Sequence, residues 1–511
     1  MSKNFSNNKR IAKNTFFLYI RMIFVLLVSL YSTRVILNAL GVIDYGIYNV
    51  VAGFVSMFAF LNSSMTNTIQ RFFNFERGNV DKNNLNKIYV TSLQIQVTLG
   101  IVTVMILEFV GLWYIQTKMV IPAERLTSAV WVFQFSVISL LLLILQIPYT
   151  AAVIAHEKMG FYAIVSMVDA VFKLIIALIL PFLPKDRLVI YGIMMLMISM
   201  TNIFLYYVYA KRNFEEIRYH HHFYKQQFKS MLAFSGWNVF GAFAYTMQGQ
   251  GLNMLMNSFF GPVVNAARGV AYQVQAALSG FTENIAVAFK PQLVESYSKN
   301  EYERTKSLMY TMSKFGYLMI YILSLPISLE INYILNIWLG GAIPDNTATF
   351  TVLILINMAL GSLNLPISQT VQAVGKIRKY QTIRSFVVMS VLPISWFALN
   401  FGIPAFMVFV ILIIVNIINQ PISMFLLKKI FDYSYVEYIK KVILPCLFFS
   451  MLTPILPLVV HYKMMESVER FIMVGGLSVL VSVFTAYLIV LTTSEKALIK
   501  GFINKILKNK I

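Results

Sequence analysis

Residues 33–73 read TRVILNALGVIDYGIYNVVAGFVSMFAFLNSSMTNTIQRFF. Apolar residues dominate on both sides of GVIDYG (41–46), so the stretch reads as the end of one membrane helix, a tight turn and a complete second helix. Beyond the turn, Asn49, Gly53, Ser56, Phe60, Ser63, Asn67 and Gln70 recur at steps of three and four. That spacing puts a mostly polar stripe on one helical face inside an apolar segment. Shifting the first positions of the stripe by a constant 219 residues lands on Arg268, Tyr272, Gln275, Ser279 and Thr282, a second polar stripe. Helical polar spacing within long apolar runs is unlike the ten-residue alternation of a membrane barrel, so the expected class is an all-α polytopic membrane protein.

Composition agrees. Of the 511 residues, 58% are hydrophobic and 12% charged, which excludes an ordinary soluble domain. At about 20 residues per span, fourteen transmembrane helices are expected, from Thr15–Leu40 and Tyr45–Gln70 through to Val442–Val460 and Ser467–Thr492. With the N-terminus in the cytoplasm, only Lys118, Arg125, Lys185, Arg187, Lys463 and Arg470 of the 42 Lys and Arg fall on outer loops. The positive-inside rule then puts both termini in the cytoplasm. It also accounts for the net charge of +21 through basic loops beside anionic lipid, with no nucleic-acid module behind it.

Enzyme motifs are missing. Cys446 is the only cysteine, so there is no disulfide framework and no CxxC site. No Walker loop, GxSxG or HExxH is present, and no metal is expected. His220, His221 and His222 sit in a polar linker and cannot all face one ion on a regular helix, so they read as a solvated loop.

Intramembrane polar residues are therefore the candidate working parts. On the first helix, Arg21 and Arg34 are thirteen residues apart and point different ways; each can snorkel to a headgroup layer or face a cavity. Thr246, Gln250, Asn253 and Asn257 share one face of the seventh helix, either as packing glue or as a cavity wall. Arg21, Arg34, Gln250, Asn253 and Asn257, together with Asn49, Ser56, Arg268, Tyr272 and Gln275, form the substrate-binding set. Glu108, the i,i+4 pair Asp169 and Lys173, and Glu283 are structural or coupling candidates; the pair can simply neutralise itself.

A second ungapped match supports duplication: Pro148, Val153, Ala155, Lys158 and Tyr162 recur as Pro366, Val371, Ala373, Lys376 and Tyr380, offset by 218. Two parallel six-helix repeats are expected, because six spans return the chain to its starting side. The layout is an N-terminal lobe (1–212), a cytoplasmic linker (213–229), a C-terminal lobe (230–430), and two further helices with a basic tail (431–511).

The segments LYSTRVILNALGVIDYGIYNVV from Leu30, NTIQRFFNFERG from Asn67, NMLMNSFFGPVVNAARGVAYQVQAALSGF from Asn253 and KPQLVESYS from Lys290 resemble the polysaccharide-export flippases of the MATE-like superfamily. The likeness is to the Bacteroidetes branch of O-antigen and capsule flippases, and it covers essentially the whole chain. It implies a V-shaped pair of six-helix lobes around a cavity that opens alternately to the two sides. The implied cargo is an undecaprenyl-diphosphate-linked oligosaccharide, moved from the cytoplasmic to the periplasmic leaflet of the bacterial inner membrane. In such a protein Arg34 and Arg268 are the positions that fit a diphosphate. Membrane lipid and other polysaccharide assembly proteins would be its partners, no cofactor is implied, and coupling to sodium or protons is left open. The alternative is a cation-coupled drug or metabolite exporter of the same fold. That reading is disfavoured because the deep bases Arg21, Arg34, Lys173 and Arg268 match or outnumber the deep acids Glu108, Asp169 and Glu283. A membrane-embedded glycosyltransferase would need a large outer loop, and the outer loops expected here are short.

Overall fold

A computed structural model describes residues 2–79, 82–156, 158–183, 186–341, 343–493 and 495–496. Every regular element among them is helical. The first helix, Ser2–Ser56, continues through a 3-10 turn at Met57–Ala59 into Phe60–Asn79. Its membrane part is α1, Arg21–Gln70. There follow α2 (Asn84–Thr117), α3 (Ala123–Ala155), α4 (Met159–Phe182) and α5 (Arg187–Asn213). Next come α6 (Lys225–Phe260) and α7 (Pro262–Ser298), then α8 (Tyr302–Leu329) and the short α9 (Ile331–Leu339). The remaining helices are α10 (Thr347–Val374), α11 (Ile377–Asn400), α12 (Met407–Lys428), α13 (Tyr435–Lys463) and α14 (Val468–Val490). Among the described residues, eleven helices are long and apolar enough to cross a membrane, which makes the chain a multi-pass membrane protein.

That number and the expected fourteen differ for local reasons. The first two expected spans are both contained in α1, and α6 and α7, the seventh and eighth, are helical but outside the eleven. Polar residues such as Gln248, Gln250, Asn253 and Asn257 dilute the apolar character of α6.

The turn expected over residues 41–46 is confined to one residue. Gly41 alone leaves helical geometry, at φ 79° and ψ 168°, and Gly261 between α6 and α7 does the same at φ 75° and ψ −172°. Such dihedrals are open essentially to glycine. The two glycines stand 220 residues apart, within one residue of the offset that relates the polar stripes.

Contacts divide the chain into two compact units. The first comprises Met1–Val270, Trp338–Asn346 and Val388–Val408, the second Ala271–Ile337, Thr347–Val387 and Phe409–Ile511. In the first, Ile47, Val51 and Phe54 of α1 pack with Val132, Phe133 and Ile144 of α3. A neighbouring cluster joins Ile69, Phe73 and Ile88 to Ile147 and Val153. The linker Phe214–Tyr224 is tied to α2: Asn86 Nδ2 donates to the carbonyls of Glu216 (2.8 Å) and Arg218 (2.7 Å), and Gln94 Nε2 to that of His222 (2.9 Å). In the second unit the core runs from Met309 and Tyr317 of α8 through Ile367 and Leu427 to Tyr438 and Phe449 of α13.

Candidate functional site

The polar stripe of α1 meets α6 and the start of α7 inside the first unit. Gly46 permits this approach: a methyl at its α-carbon would fall 2.0 Å from the carbonyl oxygen of Pro262. One turn on, Asn49 Nδ2 donates to the Tyr45 carbonyl at 2.8 Å, while the Asn49 carbonyl accepts from Asn253 Nδ2 at 3.0 Å. Asn265 Nδ2 reaches both the carbonyl (2.8 Å) and Oδ1 (2.7 Å) of Asn253. Asn257 pairs with the backbone of Val120, its Oδ1 accepting at 2.9 Å and its Nδ2 donating at 3.3 Å. Asn253, Asn257 and Asn265 are buried, and these amides tie α6 to α1, to α7 and to the loop between α2 and α3. Gln250 lies against Gly53, and Ser56 donates to the Gly53 carbonyl at 2.8 Å.

Arg268 is one turn further along α7 from Asn265. It is 6% exposed, and its Nη2 donates to the Gly249 carbonyl of α6 at 2.6 Å. Its guanidinium thus presents a planar set of N–H donors where α6 and α7 meet. Tyr272 and Gln275 continue the same helix in the second unit, both half-buried. The side chains of Ser63, Asn67, Thr282 and Glu283 lie outside those described.

Arg34 occupies a different place. With Arg187 of α5, Tyr31, Asn38 and Pro181 it lines a cleft of about 410 Å³. Its guanidinium rests on Gly340, where an added methyl would come within 3.0 Å of Nη2. Arg187 donates to the carbonyls of Ala39 (3.1 Å) and Pro181 (2.9 Å). Two guanidiniums on one cleft form a pair of planar donor sets suited to phosphate oxygens. Arg21 is elsewhere again, stacked 4.7 Å from the Tyr162 ring of α4.

The remaining candidates are all paired. Asp169 bridges Lys173 at 2.7 Å and accepts from Asn202 Nδ2 of α5 at 2.8 Å. Glu108, in a π-helical turn at Leu107–Gly111, accepts from Gln134 Nε2 at 3.1 Å.

Three charged groups carry more of the structure than their sequence positions indicate. On the first unit, Arg125 is hydrogen-bonded to both Asp44 and Asp186, and the Ser128 hydroxyl donates to Asp186. Asp186 also caps α5 by accepting the Leu188 amide at 3.1 Å. Burial raises the Asp186 pKa, but the Ser128 hydroxyl, Arg125 and the capped amide together hold it below the usual carboxylate value. On the second unit, Glu330 is buried between His461 (2.8 Å) and Arg470 (2.8 Å). Lys314 is buried against Glu495 at 2.5 Å. Arg470 reads from the sequence as an outer-loop charge; instead it sits 9% exposed in the first turn of α14. The signal available for Asp186 was its place one residue before an arginine-led apolar run, an N-cap position; for Glu330 there was none, because its partners are more than 130 residues away.

No protein-family model and no curated protein matches the chain by sequence. Solved structures do match in fold. The lipid II flippase MurJ in an inward closed conformation superposes with a TM-score of 0.66 over 93% of this chain and 98% of its own, at 13% identity. An inward-facing multidrug resistance MATE family transporter of the MOP superfamily gives 0.60 over 81% and 93%, at 12% identity. A MOP superfamily transporter from Pyrococcus furiosus, described by the reverse polarity of its binding pocket, gives 0.55 over 82% and 95%, at 12% identity. The chain therefore has the MATE-like and MurJ-like all-α membrane fold.

Proposed function

We propose that this protein is not an enzyme but a flippase, moving an undecaprenyl-diphosphate-linked oligosaccharide from the cytoplasmic to the periplasmic leaflet for surface polysaccharide assembly. The observation that carries the reading is Arg268, a guanidinium buried at the seam of α1, α6 and α7, in a fold shared with a lipid II flippase. A diphosphate and hydrated sugars cannot cross about 30 Å of hydrocarbon unaided. Fixed guanidiniums replace part of the hydration of phosphate oxygens while a polyprenyl tail stays in lipid. On this reading Arg268 supplies the deep positive charge and Arg34 the outer one. The two six-helix repeats would be the moving lobes, and both termini would be cytoplasmic.

A drug or metabolite exporter of the same fold is the second reading, favoured by the MATE match. The greater share of this chain covered by the lipid II flippase, 93% against 81%, supports a lipid-linked cargo. Complementation of a strain lacking its O-antigen flippase, followed by measurement of which leaflet holds the lipid-linked glycan, tests the choice. Restored outer-leaflet glycan is expected. A change in drug susceptibility with the glycan still in the inner leaflet would establish the exporter instead.

A further inference from the structure

Away from the arginines, the second unit contains a cleft of about 760 Å³ lined by α8, α13 and the segment after α14. Among the described residues, its charged lining is three lysines and three glutamates. Lys306 pairs with Glu303 at 2.5 Å, Lys441 with Glu437 at 2.6 Å, and Lys314 with Glu495 at 2.5 Å. The third pair is buried, its side chains 3% and 7% exposed, and it is held by Thr311 and Thr492. It forms the floor. The first two pairs are more open, with Lys441 58% and Glu437 37% exposed, and stand at the rim beside Tyr310, whose hydroxyl donates to Glu437 at 3.4 Å.

Three features define what such a cleft takes. Lys306 and Lys441 lie in the opening turns of α8 and α13, and Glu495 just past the end of α14. All three therefore sit at one end of their membrane helices, at headgroup depth. The lining also includes Phe289, Phe315, Ile489 and Leu491, an apolar wall beside the charges. Finally, lysines and glutamates are equal in number and already paired. A simple anion would have to draw a lysine from its glutamate and leave that carboxylate without its counter-charge. A group carrying both a phosphate and a primary ammonium exchanges partners with no net loss: phosphate to Lys306 and Lys441, ammonium to Glu303 and Glu437. A primary ammonium brings N–H donors that a quaternary one lacks.

We infer that this cleft binds the headgroup of a zwitterionic aminophospholipid, with an acyl chain along the apolar wall, and so forms a lipid site separate from the arginine-lined seam. The inference is independent of the cargo proposed above.

The test uses the full-length protein in detergent, stripped of lipid and offered palmitoyl-oleoyl phosphatidylethanolamine, phosphatidylglycerol or phosphatidylcholine, with retained lipid counted by native mass spectrometry. One phosphatidylethanolamine should be retained about tenfold more strongly than either of the others. Glu303→Gln with Glu437→Gln should bring its retention down to the phosphatidylcholine level while leaving phosphatidylcholine retention unchanged. The floor pair stays intact in this variant, so folding is preserved. Equal retention of phosphatidylglycerol, or wild-type retention in the double variant, would overturn the assignment. Free phosphoethanolamine at the same concentration should not displace the lipid; displacement would mean that the cleft takes a soluble ligand.

Discussion

Gly46 of α1 and Pro262 of α7 approach so closely that a single methyl group on Gly46 would lie 2.0 Å from the Pro262 carbonyl oxygen and 2.7 Å from its carbon. Both obstructing atoms are backbone, at the first residues of a helix, so neither can swing aside as a side chain end could. Gly46→Ala should therefore push α1 off α7 and break the chain of amides from Asn49 to Asn265. Overpacking of this kind destabilises by about 1–3 kcal/mol and by more where backbone must move. Monodisperse yield from detergent extraction should fall severalfold. Gly475→Ala, where nothing lies within 4 Å, should leave the yield unchanged.

Arg268 has two roles that its substitutions can separate. Its Nη2 satisfies the Gly249 carbonyl, and its charge is the one proposed to face the diphosphate. Arg268→Ala removes both, with about 1.5–3 kcal/mol of charge-assisted hydrogen bonding lost and transport abolished. Arg268→Lys retains a cation and a donor but loses the planar donor set. It should recover most of the thermal stability in a fluorescence melt while outer-leaflet glycan stays near background. Normal glycan levels in the Lys variant would show that a bidentate contact is not used.

Much of this was legible in the residues, and the limits have physical causes. The apolar runs announced an all-α membrane protein, and the spacing from Asn49 onward announced a stripe that does meet α6. The stripe's use was not legible, because an asparagine facing another helix and one facing water look alike in a sequence. Asn253 and Asn257 are buried and bonded to backbone, which is the packing use. Arg34 and Arg268 were both visible as intramembrane bases, yet only coordinates separate the half-buried Arg34 beside Arg187 from the buried Arg268 beside Gly249. The Glu330 cluster left no trace in local pattern, since pairs formed across more than 130 residues depend on the fold being in place.

Asp186 makes one end of the first unit acid-sensitive. Its pKa is depressed in the folded state by Ser128, Arg125 and the Leu188 amide acting against burial. The unfolded carboxylate takes up its proton first as pH falls, so the contribution of Asp186 is fully present above about pH 4 and is lost below it, as pH falls through the folded value. Asp186→Asn retains a side chain that caps the helix well but cannot titrate. The advantage of the wild type over this variant in melting temperature should be constant from neutral pH to about pH 5 and should shrink below about pH 4. A difference that does not change with pH would mean that the Asp186 charge adds nothing to the hydrogen bonds.

Glu330 carries the last prediction because it is fully buried between two partners. Its Oε2 accepts from Arg470 Nη2 at 2.8 Å and Nε at 3.2 Å, and its Oε1 faces His461 Nδ1 at 2.8 Å. This joins the end of α8 to both α13 and α14. A buried pair gains little over well-packed apolar groups, but removing Glu330 leaves Arg470 with only the more exposed Glu466, 3.8 Å away, and breaking a buried pair costs about 3–5 kcal/mol. Arg470 is only 9% exposed, so water cannot take over. Glu330→Gln should lower the melting temperature sharply, whereas Glu330→Gln with Arg470→Met should recover most of the loss, giving a coupling energy of about 0.5–3 kcal/mol in a double-mutant cycle. Were the two losses simply to add, the attachment of α13 and α14 would rest on packing alone and the ion pair would be incidental. With coupling present, α13 and α14 are held to the body of the second unit at this point by charge, as the chain just past the far end of α14 is by Lys314 and Glu495.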